Sequence, residues 1–417
     1  MRKITNEAGE SRARGGLTMV LNISDLRKYL ILLWIIISSG VWSISVSASV
    51  TVLLHFSIAS FMLLIMFQKG IIRNAVVLVL FLVFLILALL FNSDYSAWMS
   101  YAFIFCFCII GLYVSLLWKK GEFLDKYVNI MLVIAVISLV MYFMRGFLGT
   151  HQAGFPVVQG QSVSYTNFYF YLYCRELPDR NCAVFWEPGA YAVFLGIALY
   201  HTLITNSNKK VLKSIIIIVA LFTTQSTLAY TLILFALLLY MLKRNDDMGL
   251  LQKLFLGIVA IVIILFAMNE FGVFQNIQEK LFSGLQTNAS SRARNVAQLI
   301  DLKIISSAPF FGVGFGDYQN HVNSIGALFG QNWTMAANTF TFMGAIFGIP
   351  YVILSGIGLI KICPRNISSL FRLVSIAFWI WLFITQNFVQ KPIFYCLVFL
   401  GYTLRAFAEL EEKMDER

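Results

Sequence analysis

The chain has 417 residues, of which 59% are hydrophobic and only 12% charged. A soluble domain carries about a quarter charged residues, so a water-soluble globular enzyme is excluded and an all-α, polytopic membrane protein is expected. The formal net charge of +11 does not by itself indicate nucleic acid, because membrane proteins accumulate Lys and Arg in cytoplasmic loops.

Residues 1–29 read as a basic tail, too long for an ordinary secretory leader and expected to stay attached to an uncleaved first span. Blocks of Leu, Ile, Val and Phe then recur at lengths that suit a bilayer core of about 30 Å. Twelve spans are predicted. Five occupy residues 30–144: Leu30–Ser47, Val50–Phe67, Asn74–Phe91, Ala97–Trp118 and Tyr127–Met144. A first long outer loop covers 145–187. Residues 188–268 hold Pro188–Thr205, Val211–Thr224, Leu228–Leu242 and Leu254–Met268. A second long outer loop covers 269–335. Residues 336–404 hold Ala336–Ile360, Leu373–Phe388 and Pro392–Leu404, before a tail at 405–417. With both termini cytoplasmic, the Lys and Arg outside the inner segments and tails are Arg145, Arg175, Arg180, Lys280, Arg292, Arg294, Lys303 and Lys391. That bias supports this orientation, with both termini cytoplasmic.

The run "SIIIIVALFTTQSTLAYTLILFALLLYML" lies between two basic segments. One long crossing would put those segments on opposite sides, so a hairpin turning at "TTQST" is expected. Each arm is about 21 Å long at 1.5 Å per residue, which places the turn below the outer surface, facing a wet cavity rather than lipid. A shift in the span boundaries is the other reading. The middles of the spans are almost free of ionisable residues, each of which costs about 2.5–3.5 kcal/mol at a helix centre and marks transport paths. His55 is the nearest case and is expected to be a packed core residue. Chemistry is therefore expected in the two long outer loops.

Loop one is rich in Tyr and Phe and contains Arg175 and Arg180. Such aromatics suit sugar rings, or form an interfacial belt; both readings stand. Cys174 and Cys182 share this loop, where a disulfide is open to them, unless a helix between them forbids the geometry. Cys106, Cys108 and Cys396 read as lipid- or core-facing, and Cys363 as cytoplasmic. Four scattered histidines do not make a metal site. The loop ends in "FWEPG", where Pro188 favours a first helical turn and Gly189 permits a close approach. Glu187 then sits at the positive end of a helix. It is either a general base or acceptor for a sugar hydroxyl, or a structural partner of Arg180, Arg292 or Arg294.

From Ser290, loop two reads as a helix with Val296, Leu299, Ile300, Lys303 and Ile304 at helical spacing. It would bury an apolar side and display Arg292, Arg294 or both near its start. Arg forks suit phosphate oxygens, whether of a lipid-borne substrate or of ordinary headgroups. After Pro309, "GVGFG" offers Gly312, Gly314 and Gly316 as a turn whose N–H groups can approach an anion, although it lacks the Lys-Ser/Thr of a nucleotide loop.

The segments "RNCAVFWEPGAYAVFL", "SSRARNVAQLIDLKIISSAPFFGVGFGDY" and "AANTFTFMGAIFGIPY" resemble those of bacterial O-antigen polymerases of the Wzy type. Related O-antigen ligases usually carry a His-Asn pair at the start of the third segment; Ala337 and Asn338 stand there in this chain, which favours the polymerase over the ligase. The resemblance implies a membrane glycosyltransferase of the C type. It would join oligosaccharide repeat units carried on undecaprenyl pyrophosphate at the periplasmic face and release undecaprenyl pyrophosphate. No cofactor, sugar nucleotide or metal is required, and a chain-length regulator is an expected partner. Arg292, Arg294, Glu187 and His321 are the catalytic candidates. Arg175, Arg180, Lys303, Gly312, Gly314, Gly316, Tyr318 and Asn338 are the substrate-binding ones. An O-antigen ligase acting on lipid A core and a non-enzymatic flippase for lipid-linked oligosaccharides are the competing readings.

Overall fold

The computed structural model describes residues 23–40, 47–68, 76–118, 122–159, 163–205, 209–243, 289–327, 338–364 and 368–415, excepting the side chains of 23, 24, 48, 289–293, 327 and 404–415. The predicted span Leu254–Met268, the tail up to residue 22 and the first part of loop two lie outside the described residues.

The apolar blocks fold as helices: α1 (Ile23–Ser38), α2 (Ala48–Gln68), α3 (Val76–Phe91), α4 (Trp98–Leu117) and α5 (Glu122–Phe143). Loop one contains a short α6 (Arg145–Thr150) and strands β1 (Val157–Gln159), β2 (Ser164–Asn167) and β3 (Leu172–Cys174). Then follow α7 (Pro188–Ile204), α8 (Lys210–Thr223), α9 (Thr227–Lys243), α10 (Ala289–Ser307), α11 (Gly314–Ala327), α12 (Thr339–Phe347), α13 (Ile349–Lys361), α14 (Ser369–Ile384) and α15 (Pro392–Asp415). The segments Ser49–Gln68, Tyr95–Leu117 and Glu122–Phe143 are long and apolar enough to cross a membrane, and several shorter helices are equally apolar. This mostly helical architecture suits an all-α membrane protein.

Three features depart from the pattern read in the sequence. Loop one is ordered by a three-stranded antiparallel meander, with Val157 opposite Thr166 and Tyr165 opposite Cys174. Cys174 and Cys182 are buried free thiols there. The expected continuous span Ala336–Ile360 is broken between α12 and α13 at Gly348. Finally, Leu299 lies on the exposed side of α10, whose buried side is formed by Val296, Ala297, Ile300 and Ile304.

The break at Gly348 has a packing cause. A Cβ on Gly348 would lie 2.2 Å from the carbonyl oxygen of Phe310, and one on Gly312 would lie 2.3 Å from the carbonyl carbon of Ile346. Both glycines adopt positive φ, +86° and +63°, which only Gly takes readily. The two backbones lock through Val313 N–H to Ala345 O and Ile349 N–H to Pro309 O, each at 2.8 Å.

α7 lies at the centre. It is apolar all round, and each residue from Pro188 to Thr202 is buried, the arrangement such a helix requires. His55 is also packed, among the rings of Trp34, Phe103 and Phe107. At one end of the bundle Lys28 bonds Glu122 at 2.6 Å, Lys126 bonds Asp25 at 3.0 Å and His201 bonds Asp125 at 2.7 Å. At that same end Lys210 and Lys243 donate to the last carbonyls of α7, at Leu203 and Ile204. The described parts of both long loops sit at the opposite end, around the start of α7.

The α8–α9 pair forms the hairpin expected at "TTQST", but its turn faces protein rather than a wet cavity. Thr223, Thr224 and Ser226 are buried. Asn181 of loop one donates its backbone N–H to Thr223 O and its amide to Thr223 Oγ1, both at 2.9 Å. The polar groups of the turn are thus met by loop one, as burial demands.

Candidate functional site

Glu187 caps α7 in extended backbone, with Pro188 in the first turn, and its side chain makes no capping bond. The carboxylate instead reaches across to α10 and pairs with Arg294 Nη2 at 3.5 Å. Gly189 leaves room beside it for the Gln386 amide, which a Cβ there would meet at 2.4 Å. Arg180 is half-buried behind this pair, its Nε donating to Thr224 O at 3.4 Å. Burial lowers the affinity of its guanidinium for its proton, while the charge of Glu187 raises it and that of Arg294 lowers it. The three charges therefore form one electrostatic unit drawn from both long loops.

A third segment joins them. Lys391 places its ammonium 4.4 Å from the ring centroid of Trp186, the residue before Glu187, a cation–π arrangement. Burial pushes its ammonium down to about 8. Trp186 is held from behind: Phe388 packs edge-on at 5.5 Å and Tyr165 of β2 donates to the Trp186 carbonyl. The loop carrying Lys391 is clasped by Thr339, whose N–H donates to Gln386 O at 3.1 Å and whose Oγ1 accepts from Phe388 N–H at 2.9 Å. Asn338, immediately before, caps α12 by accepting from Phe340 N–H at 2.8 Å.

Two internal carboxylates brace the surroundings. Asp301 is fully buried on α10 and accepts from Tyr318 Oη at 2.7 Å and Thr341 Oγ1 at 2.8 Å, tying α10 to α11 and α12. Burial pushes its carboxyl up to about 6. Asp301 follows Arg294 by seven residues, close to two turns, so this anchorage also fixes the face on which Arg294 emerges. Asp94, before α4, accepts from Gly316 N–H at 2.9 Å and from Tyr101 Oη at 3.1 Å. The anion approached by the glycine turn is thus one of the protein's own carboxylates, and Gly314 lies against the same group.

Of the residues singled out in the sequence, the fold brings together Arg180, Glu187 and Arg294. Asn338 and Tyr318 belong to the supporting layer, and Gly312 to the backbone lock. Arg175 is exposed and bonds Thr166 Oγ1 at 2.9 Å on the sheet. Lys303 is exposed on the side of α10 away from Arg294. His321 is half-buried on α11, its carbonyl accepting from Ser324 Oγ at 3.0 Å. Among the described residues no hydrogen bond or ion pair joins Arg175, Lys303 or His321 to Glu187. The side chain of Arg292 lies outside the described residues. Sequence reasoning did not single out Lys391, Trp186, Asp301 or Asp94 for the site. Lys391 was visible as one of few cations on the loop side, and Asp301 as an acid within the apolar stripe of α10.

The fold and site define a mostly helical, membrane-type protein in which Arg294 and Arg180 face Glu187 at the start of the central helix and Lys391 lies over the neighbouring Trp186 ring. No family model matches the chain, and no curated protein matches it.

Proposed function

We propose that the protein is an O-antigen polymerase that joins undecaprenyl-pyrophosphate-linked oligosaccharide repeat units at the periplasmic face of a bacterial inner membrane, with both termini in the cytoplasm. The observation that carries this reading is the Glu187–Arg294 contact, which draws both long loops to the start of α7 beside Arg180 and Lys391. The N-terminus of α7 adds a further positive pole.

A hydroxyl of one repeat unit attacks the sugar carbon bonded to pyrophosphate on the growing chain. A new C–O glycosidic bond forms, the old C–O bond breaks with its electron pair on the departing undecaprenyl pyrophosphate, and the hydroxyl proton passes to a base. Arg294, Arg180 and Lys391 stabilise the negative charge that develops on the leaving group. Glu187 orients Arg294 and directs the attacking hydroxyl. The partly exposed Trp186 ring supplies flat surface for a sugar ring.

The test is incubation of the purified protein in lipid with a synthetic lipid-linked repeat unit. A ladder of products spaced by one repeat supports the reading. Transfer only to lipid A core would identify a ligase, and translocation across vesicles without change of length a flippase; either outcome overturns the polymerase.

A further inference from the structure

The β2–β3 connection runs from Phe168 to Tyr171. Phe168 N–H donates to Tyr171 O at 2.9 Å, leaving Tyr169 and Phe170 at the tip. Tyr169 adopts φ +65°, a conformation that tight turns normally give to Gly or Asn. Asn167 supports it, its Oδ1 accepting from Tyr169 N–H at 2.8 Å. The unfavourable backbone presents two aromatic rings outward, 63% and 69% exposed.

The base of this hairpin is fixed at a definite height. Phe168, Tyr171 and Tyr173 pack with Leu148 against Met141, in the last turn of α5. α5 is one of the helices long and apolar enough to cross a membrane. Along it, Val133, Val136, Ile137, Val140 and Phe143 are uncovered by protein, and Met144 and Phe147 continue the exposure into α6. Steps of three and four put these residues on one face. An uncovered apolar stripe on a membrane-crossing helix is its lipid face, and it ends beside the hairpin. The level where it ends is the interface, where aromatic rings are favoured.

We propose that the Tyr169–Phe170 tip inserts into the lipid leaflet at the Phe143 end of α5 and anchors loop one to the bilayer. The partner is lipid, because the tip continues the lipid face of α5 and carries no charge. The anchor holds the height of the chain segment that leads through Arg180 to Glu187.

A nitroxide label tests this directly. The six native cysteines are buried, so Phe170→Cys and, separately, Tyr169→Cys can be labelled in the full chain and reconstituted in phosphatidylethanolamine–phosphatidylglycerol vesicles, with the unlabelled parent as background. Val140→Cys serves as the lipid reference and Ser306→Cys, exposed on α10, as the aqueous one. The expected result is relaxation by oxygen as at position 140 and little relaxation by a water-soluble nickel chelate. Nickel accessibility equal to that at position 306 at both tip positions overturns the proposal. So does protection from both reagents, which would mean that a second copy or another protein covers the tip.

Discussion

Arg294 and Glu187 meet at 3.5 Å across 107 residues of chain. One comes from the start of α10 and the other from the cap of α7, so the pair ties the two long loops together at the start of the central helix. Both partners are partly exposed, and such pairs contribute only about 0–1 kcal/mol to stability. Their placement beside Arg180 is what the proposed function rests on, and the bundle does not depend on it.

Arg294→Ala is accordingly expected to change unfolding stability by no more than about 1 kcal/mol while lowering polymerisation about 100-fold, the usual effect of removing one donor from a developing negative charge. Thermal unfolding in detergent and the product ladder measure the two separately. Normal ladder length would remove Arg294 from the site.

Lys391 gives a pH signature of its own. Its ammonium is held at about 8 by burial, against about 10.4 in an unfolded chain. Between those values the unfolded state binds more protons, so this group makes stability rise with pH above about 8. Anion binding runs the opposite way, because the charge is lost in the same window. Affinity for inorganic pyrophosphate is expected to fall between pH 7 and 9 in the parent and to hold in Lys391→Arg, which stays charged; calorimetric titration checks it.

Asp301 shows the converse behaviour for an acid. Its carboxyl is pushed up to about 6, above about 3.9 in the unfolded chain, so the folded state takes up the proton first. This group's contribution to stability is greatest in acid and falls as pH rises from about 4 to 6. Asp301→Asn should flatten that dependence in unfolding curves at pH 5 and 7. Asp301→Ala, which strips the partner from Tyr318 and Thr341, should cost about 1–3 kcal/mol.

Gly348→Ala places a methyl group against the Phe310 carbonyl at positive φ. That backbone, at φ +86° and ψ +169°, is essentially reserved for Gly and costs about 1–3 kcal/mol, and the overpacking costs about 1–3 kcal/mol, so the yield of monodisperse protein should fall sharply. Gly146→Ala, with nothing within 4 Å of the added carbon, is the control and should be silent by size-exclusion chromatography.

What was legible in the sequence depended on locality. Apolar blocks and flanking charges revealed α2, α3, α4, α5 and α7 to within a few residues, and even the hairpin between Thr223 and Thr227, because membrane burial acts on each segment by itself. The strands of loop one are three or four residues long and owe their register to one another, so no periodic signal preceded them. At Gly348 the run remains apolar through the break; its cause is a backbone contact with Phe310, distant in the chain. The site divides the same way. Glu187 and Arg294 stood out because charge is rare here, whereas Asp94 and Asp301 gain meaning only from Gly316, Tyr318 and Thr341 on other elements.

The seat that Asn181 provides for the α8–α9 turn has a consequence for biogenesis. Asn181 leaves the ribosome before Thr223 and Thr224 do, so the receptor for the hairpin tip exists before the tip itself. Assembly of this pair is thereby ordered: the seat is made first, and the two short helices then dock on a surface already waiting for them.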